Sequence, residues 1–267
     1  MGHIKVLLVG VCIYPVAGLP TLPICANDVQ TVKNALISGL KVAENDIHIC
    51  GKYGTVTQID LLKGLTTVLA TTTPDDIFIF YFSGHGGKNS FALSDGNLPL
   101  QTLIDIIEKT IAKSKIVILD SCHSGGFSIS DTPVLDLEET VNTFVGHGYA
   151  VLASSGANQT SGFNSERKLS TYTTFLVDAL TSRFLIRNGK KSLEAINEAI
   201  FHYAKIWNNH HPSEAQQPIF RSNIGGTVFF EVEEYNPYRV AQVFEETDKY
   251  IIYEVEPVHT NIKRLSA

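Results

Sequence analysis

Residues 78–87 read FIFYFSGHGG, an apolar and aromatic run that breaks at Ser83 into small residues around a single histidine, His85. The run from Ile77 to Phe82 contains no charged residue, so it reads as a strand covered on both faces, as in a parallel sheet. Gly84, Gly86 and Gly87 then open backbone angles closed to other residues and let another molecule approach the main chain. A histidine placed there stands at the carboxyl end of a strand, the edge at which open α/β sheets bind ligands. Alone, the stretch fits a loop histidine in a glycine turn equally well.

A second stretch repeats the pattern: IVILDSCHSGG, residues 116–126. An Ile/Val run again delivers one reactive residue, Cys122, into a Ser/Gly turn. Two neighbouring parallel strands ending in this way bring His85 and Cys122 to one sheet edge, a nucleophile beside its proton-transfer partner. The thiolate is the attacking form, so His85 is assigned as the group that takes its proton and later returns it to a leaving amine. The backbone N–H groups of Gly86 and Cys122 are the candidate oxyanion donors. Here the histidine precedes the cysteine, whereas papain-like proteases and the nucleophile elbow of α/β-hydrolases present the nucleophile first.

Outward from these two stretches, strands are expected at Lys5–Val11, Asp46–Cys50, Lys115–Leu119 and Tyr149–Ala153, alternating with helical patterns. The helices are expected from about Ala26 to Leu40, Thr57 to Leu69, Leu100 to Ile111, Tyr172 to Phe184 and Ser192 to Trp207. Such alternation predicts a mainly parallel six-stranded sheet with helices on both faces. Thr227–Glu231 is expected to be its sixth, edge strand. Gly125 to Gly148 reads as a long loop. From Tyr235 the texture changes, with a further strand expected at Tyr250–Val255. Residues 1–232 are therefore taken as one domain and 233–267 as a C-terminal extension or linker.

The 267 residues carry a net charge of −6 and no cluster of Lys and Arg, which argues against general binding to nucleic acid or to an anionic membrane. The apolar run Lys5–Val11 is too short to span a bilayer and lacks the flanks of a secretory signal, so a cytoplasmic location is expected. Four cysteines, Cys12, Cys25, Cys50 and Cys122, lie far apart without a CxxC pair. Neither a zinc site nor a disulfide framework is expected. Cys12 and Cys50 read as small buried hydrophobes. Asp131, Asp136, Glu138 and Glu139 could hold Ca²⁺, but their spacing lacks an EF-hand pattern, and nothing in the sequence requires a cofactor.

YFSGHGG and LDSCHSGG resemble the histidine and cysteine motifs of the caspase-fold cysteine peptidases (the clan of caspases, metacaspases and paracaspases), and specifically its metacaspase branch. LPICANDVQTV (22–32), ASSGANQTSGF (153–163) and QQPIF (216–220) are similar to further segments of that family, so the resemblance spans residues 1–232. It implies a caspase-like α/β/α sandwich and a thiol protease working through a His85/Cys122 dyad. It also implies a first-subsite pocket that accepts Arg or Lys, with Cys25, Asp28, Ser83 and Asp120 at the motif positions. Two carboxylates there would bridge a guanidinium with charge-assisted bonds. An Asp-specific caspase needs basic residues instead, and none stands at these positions. The plainer reading makes Asp28 a helix-start residue and Asp120 a turn former.

The partner so implied is a protein or peptide substrate with a basic residue at the cleavage site, alongside a regulatory protein engaging the C-terminal extension. Family analogy suggests a bacterial defence or cell-death role. The alternative keeps the fold without the activity, as a catalytically silent adaptor or docking module. Between Cys122 and Glu166 there is no Lys or Arg, and the nearest basic residues are Arg167 and Lys168. An enzyme selective for basic residues would therefore not cut itself in that stretch. His123 is assigned a structural role, His147 a turn, His210 and His211 a solvated loop, and Trp207 a packing role.

Overall fold

The long apolar runs become the central strands of the molecule. In the computed structural model, which describes residues 2–51, 53–87, 89–122, 137–154, 163–234, 238–246 and 251–257, the chain order is β1 (Ile4–Gly10), α1 (Ile24–Leu40), β2 (Ile47–Cys50), α2 (Gln58–Leu69), β3 (Ile77–Gly87), β4 (Ser90–Leu93), β5 (Gly96–Pro99) and α3 (Leu100–Ile107). There follow β6 (Ser114–Cys122), α4 (Leu137–Gly146), β7 (Ala150–Ala153), β8 (Phe163–Asn164), β9 (Leu169–Ser170), α5 (Thr171–Thr181), β10 (Lys190–Ser192), α6 (Leu193–His210), β11 (Ile219–Ser222), β12 (Phe229–Glu231), β13 (Tyr238–Glu246) and β14 (Ile251–Pro257).

The sheet runs in the order β11-β7-β6-β3-β1-β2, parallel throughout except for β11 at one edge. Alternate side chains of its strands feed two separate cores. Leu7, Val9, Phe78, Phe80, Val117 and Leu119 pack with the apolar faces of α2, α3 and α4 on one side. Val6, Leu8, Ile79, Tyr81, Ile116 and Ile118 pack with α1, α5 and α6 on the other. This is the three-layer α/β/α sandwich expected, with a mainly parallel sheet of six strands along its main path. Helix α1 buries Val29, Val32, Leu36 and Leu40 on one stripe, and α2 starts at a capping box between Thr57 and Asp60, two orphan donors satisfied reciprocally.

Two expectations require correction. The sixth strand of the main sheet is β11, Ile219–Ser222, paired with β7. Of the segment expected there, only Phe229–Glu231 is a strand, and it pairs with β10 in a separate ribbon. Phe230 is buried between exposed Phe229 and Glu231, the single-faced alternation of the two-stranded ribbon it forms with β10. The stretch from Gly125 to Gly148 is not one loop, because α4 occupies part of it. That helix is held by Val141 and Phe144, both fully buried and three residues apart on one face. Beyond Tyr235, the strand expected at Tyr250–Val255 is β14, paired with β13 as an antiparallel ribbon with two register shifts. Among the described residues, no helix is long and apolar enough to cross a membrane.

Candidate active site

Strands β3 and β6 are adjacent and parallel, and their register pairs Ser83 with Asp120, Gly84 with Ser121 and His85 with Cys122. The two motif residues therefore emerge side by side at the carboxyl edge of the sheet. Gly86, the other oxyanion candidate, follows His85 and pairs with Phe91 where β3 turns into the β4 ladder.

His85 is held from several directions and is 3% exposed. Its backbone N–H donates to the Tyr14 hydroxyl at 2.9 Å, and the Tyr14 ring lies 4.8 Å from the imidazole, centroid to centroid. Its Nε2 lies 2.9 Å from the carbonyl oxygen of Pro20. A carbonyl only accepts, so the proton is on Nε2, and Nδ1 keeps its lone pair for a second partner. Burial lowers the pKa of His85 from its ordinary value, against an opposing pull from the Pro20 carbonyl. The imidazole is thus neutral near pH 7, the form a general base requires.

The four residues at the expected first-subsite positions are also buried: Cys25, Asp28, Ser83 and Asp120 are each at most 2% exposed. Asp28 accepts from the Ser83 hydroxyl at 2.9 Å and from Ser170 twice, its N–H at 2.9 Å and its hydroxyl at 2.6 Å. Asp120 Oδ2 accepts from the Thr173 hydroxyl at 2.6 Å, and Tyr81 in turn donates to Thr173 at 2.6 Å. Asp120 Oδ1 is buried and makes no hydrogen bond of its own among the described residues, while the Thr173 N–H and the Ser170 hydroxyl lie near the carboxyl and favour its charged form. Burial, then the charge of Asp28, pushes the Asp120 carboxyl up to about 7. Burial also raises Asp28, offset in part by its bonds to Ser170 and Ser83. The two buried carboxyl groups thus share one site, and among the described residues no cation pairs with either. Such a pair shares a proton near neutrality. The helix-start reading of Asp28 does not fit, since it lies four residues inside α1, whose cap residue is Pro23.

Residues 4–229 match the family model described as Caspase domain. The chain belongs to the caspase-domain family. Within that family it is similar to Metacaspase-1 of Eremothecium gossypii, 27% identical over 158 residues, which is 50% of this chain and 34% of that protein. The chain thus aligns with about a third of the length of this relative. Its fold is similar to the crystal structure of Caspase-1 from Spodoptera frugiperda, with a TM-score of 0.61, 88% of this chain and 92% of that chain covered, and 11% sequence identity. That likeness is one of architecture.

The caspase-domain site also contains residues that motif reading did not select. Tyr14, Pro20, Tyr81, Ser170 and Thr173 all bond to it directly or through one partner. The sequence signal for two of them is STYTT, residues 170–174, five consecutive hydroxyl side chains that are all buried. Other candidates stand apart. Cys12 and Cys50 are buried free thiols; burial raises the first and pushes the second up to about 12, which makes both poor nucleophiles. His147 is an exposed turn residue paired with Glu108. Trp207 packs against Phe175 and stacks on His211. Glu138 pairs with Arg221, and Glu139 accepts from Asn89. Among the described residues, no group of three or more His, Cys, Asp or Glu is arranged to hold a metal ion. His123, Asp131 and Asp136 lie outside the described residues.

Proposed function

We propose that this caspase-domain chain is a cysteine endopeptidase of metacaspase type that cuts peptide bonds after Arg or Lys. The observation that carries the reading is the cross-strand pairing of His85 with Cys122 at the carboxyl edge of the sheet. In this mechanism Nδ1 of His85 takes the Cys122 proton, and the thiolate attacks the scissile carbonyl carbon. The resulting oxyanion is met by the N–H groups of Gly86 and Cys122. Collapse breaks the C–N bond, and the amine leaves with the proton held by His85. A water molecule, deprotonated by the same nitrogen, then attacks the thioester, and the acid product and the thiol are released.

Basic specificity is supported by the pocket charges. Among the described residues no cation pairs with buried Asp28 or Asp120, and Asp120 Oδ1 makes no hydrogen bond. A guanidinium supplies both the missing charge and the missing donor. An Asp side chain would place a third carboxylate beside two. Residues 1–232 form the peptidase domain in this proposal, 233–267 form the extension through which a regulatory protein attaches, and the enzyme works in the cytoplasm, where its buried thiols stay reduced. A defence or cell-death role goes with this reading by analogy.

The test is a fluorogenic peptide panel with Arg, Lys, Asp or a neutral residue before the cleaved bond, run with and without calcium on wild type and Cys122→Ala. Turnover of the Arg and Lys peptides that disappears in the variant supports the proposal. Absence of any hydrolysis by wild type under both conditions favours the silent-adaptor reading, and preferential turnover of the Asp peptide overturns the basic specificity.

A further inference from the structure

We infer that Tyr14 is the positioning residue of the dyad, whose hydroxyl fixes the main chain at His85 and whose ring seats the imidazole; this rests on the dyad proposed above. The parallel ladder between β1 and β3 ends at the pair Gly10 and Ser83, and Val11 N–H adds one last bond to the Ser83 carbonyl at 2.9 Å. Beyond it β3 continues to Gly87 with no β1 residue alongside, so the N–H of His85 faces away from any strand partner on that side. An unsatisfied buried N–H is costly and lets the chain wander. Tyr14 takes the place of the missing strand. Its hydroxyl accepts the His85 N–H at 2.9 Å and donates to the Val11 carbonyl at 2.7 Å, so a single group joins the two frayed strand ends.

The same contact explains the glycine before the histidine. A Cβ on Gly84 would lie 2.9 Å from the Tyr14 hydroxyl oxygen and 3.0 Å from the Phe82 ring, so the hydroxyl would have to shift to make room. The ring of Tyr14, itself 2% exposed, covers one side of the imidazole at a 52° tilt. With Pro20 fixing Nε2, the remaining freedom of His85 is rotation and drift at its own backbone, and that is what the hydroxyl removes. A displacement of a fraction of an ångström there moves Nδ1 relative to the thiol it must deprotonate.

The discriminating variant is Tyr14→Phe, which keeps the ring and removes the hydroxyl. Its kcat for an Arg peptide is expected to fall about tenfold with KM within about twofold of wild type, because ground-state binding is untouched. The iodoacetamide alkylation rate, mapped by mass to Cys122, should fall in parallel, since it reads the thiolate that His85 creates. Gly84→Ala, which pushes the hydroxyl away with Tyr14 intact, should reproduce the kcat loss, and the double variant should be no worse than the more damaging single change. Wild-type kcat and alkylation in Tyr14→Phe, or losses that add fully in the double variant, would overturn the inference. Retention of activity by His85→Ala would instead remove the dyad on which it rests, and the two failures are distinct.

Discussion

His85 and Cys122 form the last rung of the ladder between β3 and β6, and Ser83 and Asp120 form the rung two residues earlier. The proposed chemistry and the proposed specificity are therefore set by one strand register. A slip of that register would displace both at once.

The first expectation concerns the dyad. Cys122→Ala should abolish peptide hydrolysis while leaving the thermal unfolding curve close to wild type, because it removes one sulfur atom and no buried charge. His85→Ala should be nearly as damaging, since the thiol then stays protonated near neutral pH. Equal alkylation rates of Cys122 in wild type and His85→Ala would break the pairing.

A second expectation separates the two pocket carboxylates. Asp120→Ala should reduce kcat/KM for Arg peptides by a hundredfold or more relative to neutral ones, about 3–5 kcal/mol for one lost partner of a buried charge pair. Arg should outperform Lys in wild type, as a planar fork can bond both carboxylates. Asp28→Ala should lose stability as well as selectivity, because Asp28 also ties down Ser170 and Ser83. Proportionate loss on Arg and neutral peptides in Asp120→Ala would mean that the residue merely supports the Cys122 turn.

The third expectation is a pH dependence with a defined sign. Asp120 titrates near about 7 when folded, against an ordinary value of 3.8. The folded chain therefore keeps a proton that the unfolded chain has released. The stability from this carboxyl is fully present below 3.8 and is lost as pH rises through about 7. In thermal melts, the melting temperature of Asp120→Asn minus that of wild type should become more positive between pH 5 and pH 8. The kcat/KM ratio of Arg to neutral peptides should rise over the same range in wild type, as the bound proton gives way to the substrate cation. A flat ratio and parallel melts would show that the two carboxylates do not share a proton.

Self-processing should leave a particular trace. The stretch from Cys122 to Glu166 has no basic residue, so it should remain whole in incubated enzyme. Arg167 and Lys168 sit in the exposed turn between β8 and β9, where Nη1 of Arg167 donates to both carboxylate oxygens of Asp178 and the Lys168 carbonyl accepts from Asn27. Intact-mass analysis should show either the full chain or cuts at Arg167, Lys168 or Arg187. A cut after Asp131 or Asp136 would mean caspase-like selectivity.

The parts of the fold that were legible in the sequence are those dictated by local pattern. Ile77–Phe82 and Ile116–Leu119 could hardly be anything but central strands, and the small residues after each marked the sheet edge. What escaped was decided at long range. Thr227–Glu231 looks no less strand-like than Ile219–Ser222, and only the free edge of β7 chooses between them. Helix α4 carries Leu137, Val141, Phe144 and Val145 at helical spacing, a signal that the polar residues around it mask in a stretch that reads as a loop. In the candidate site, motif positions could be read one by one, but Ser170 lies 142 residues from Asp28, and Tyr14 lies 71 from His85. No spacing rule connects them.

The segment linking β1 to α1 contacts the histidine through Tyr14 and Pro20, then runs directly into the helix that carries Cys25 and Asp28. The supports of the proposed base and two residues of the proposed first subsite thus lie on one continuous stretch of chain. If the proposed subsite is right, substitutions in this stretch are expected to alter turnover and selectivity together. Grafting this stretch from a relative with a different substrate preference would therefore change turnover as well as taste, and efforts to re-engineer selectivity would do better to begin on the β9–α5 side, at Ser170 and Thr173.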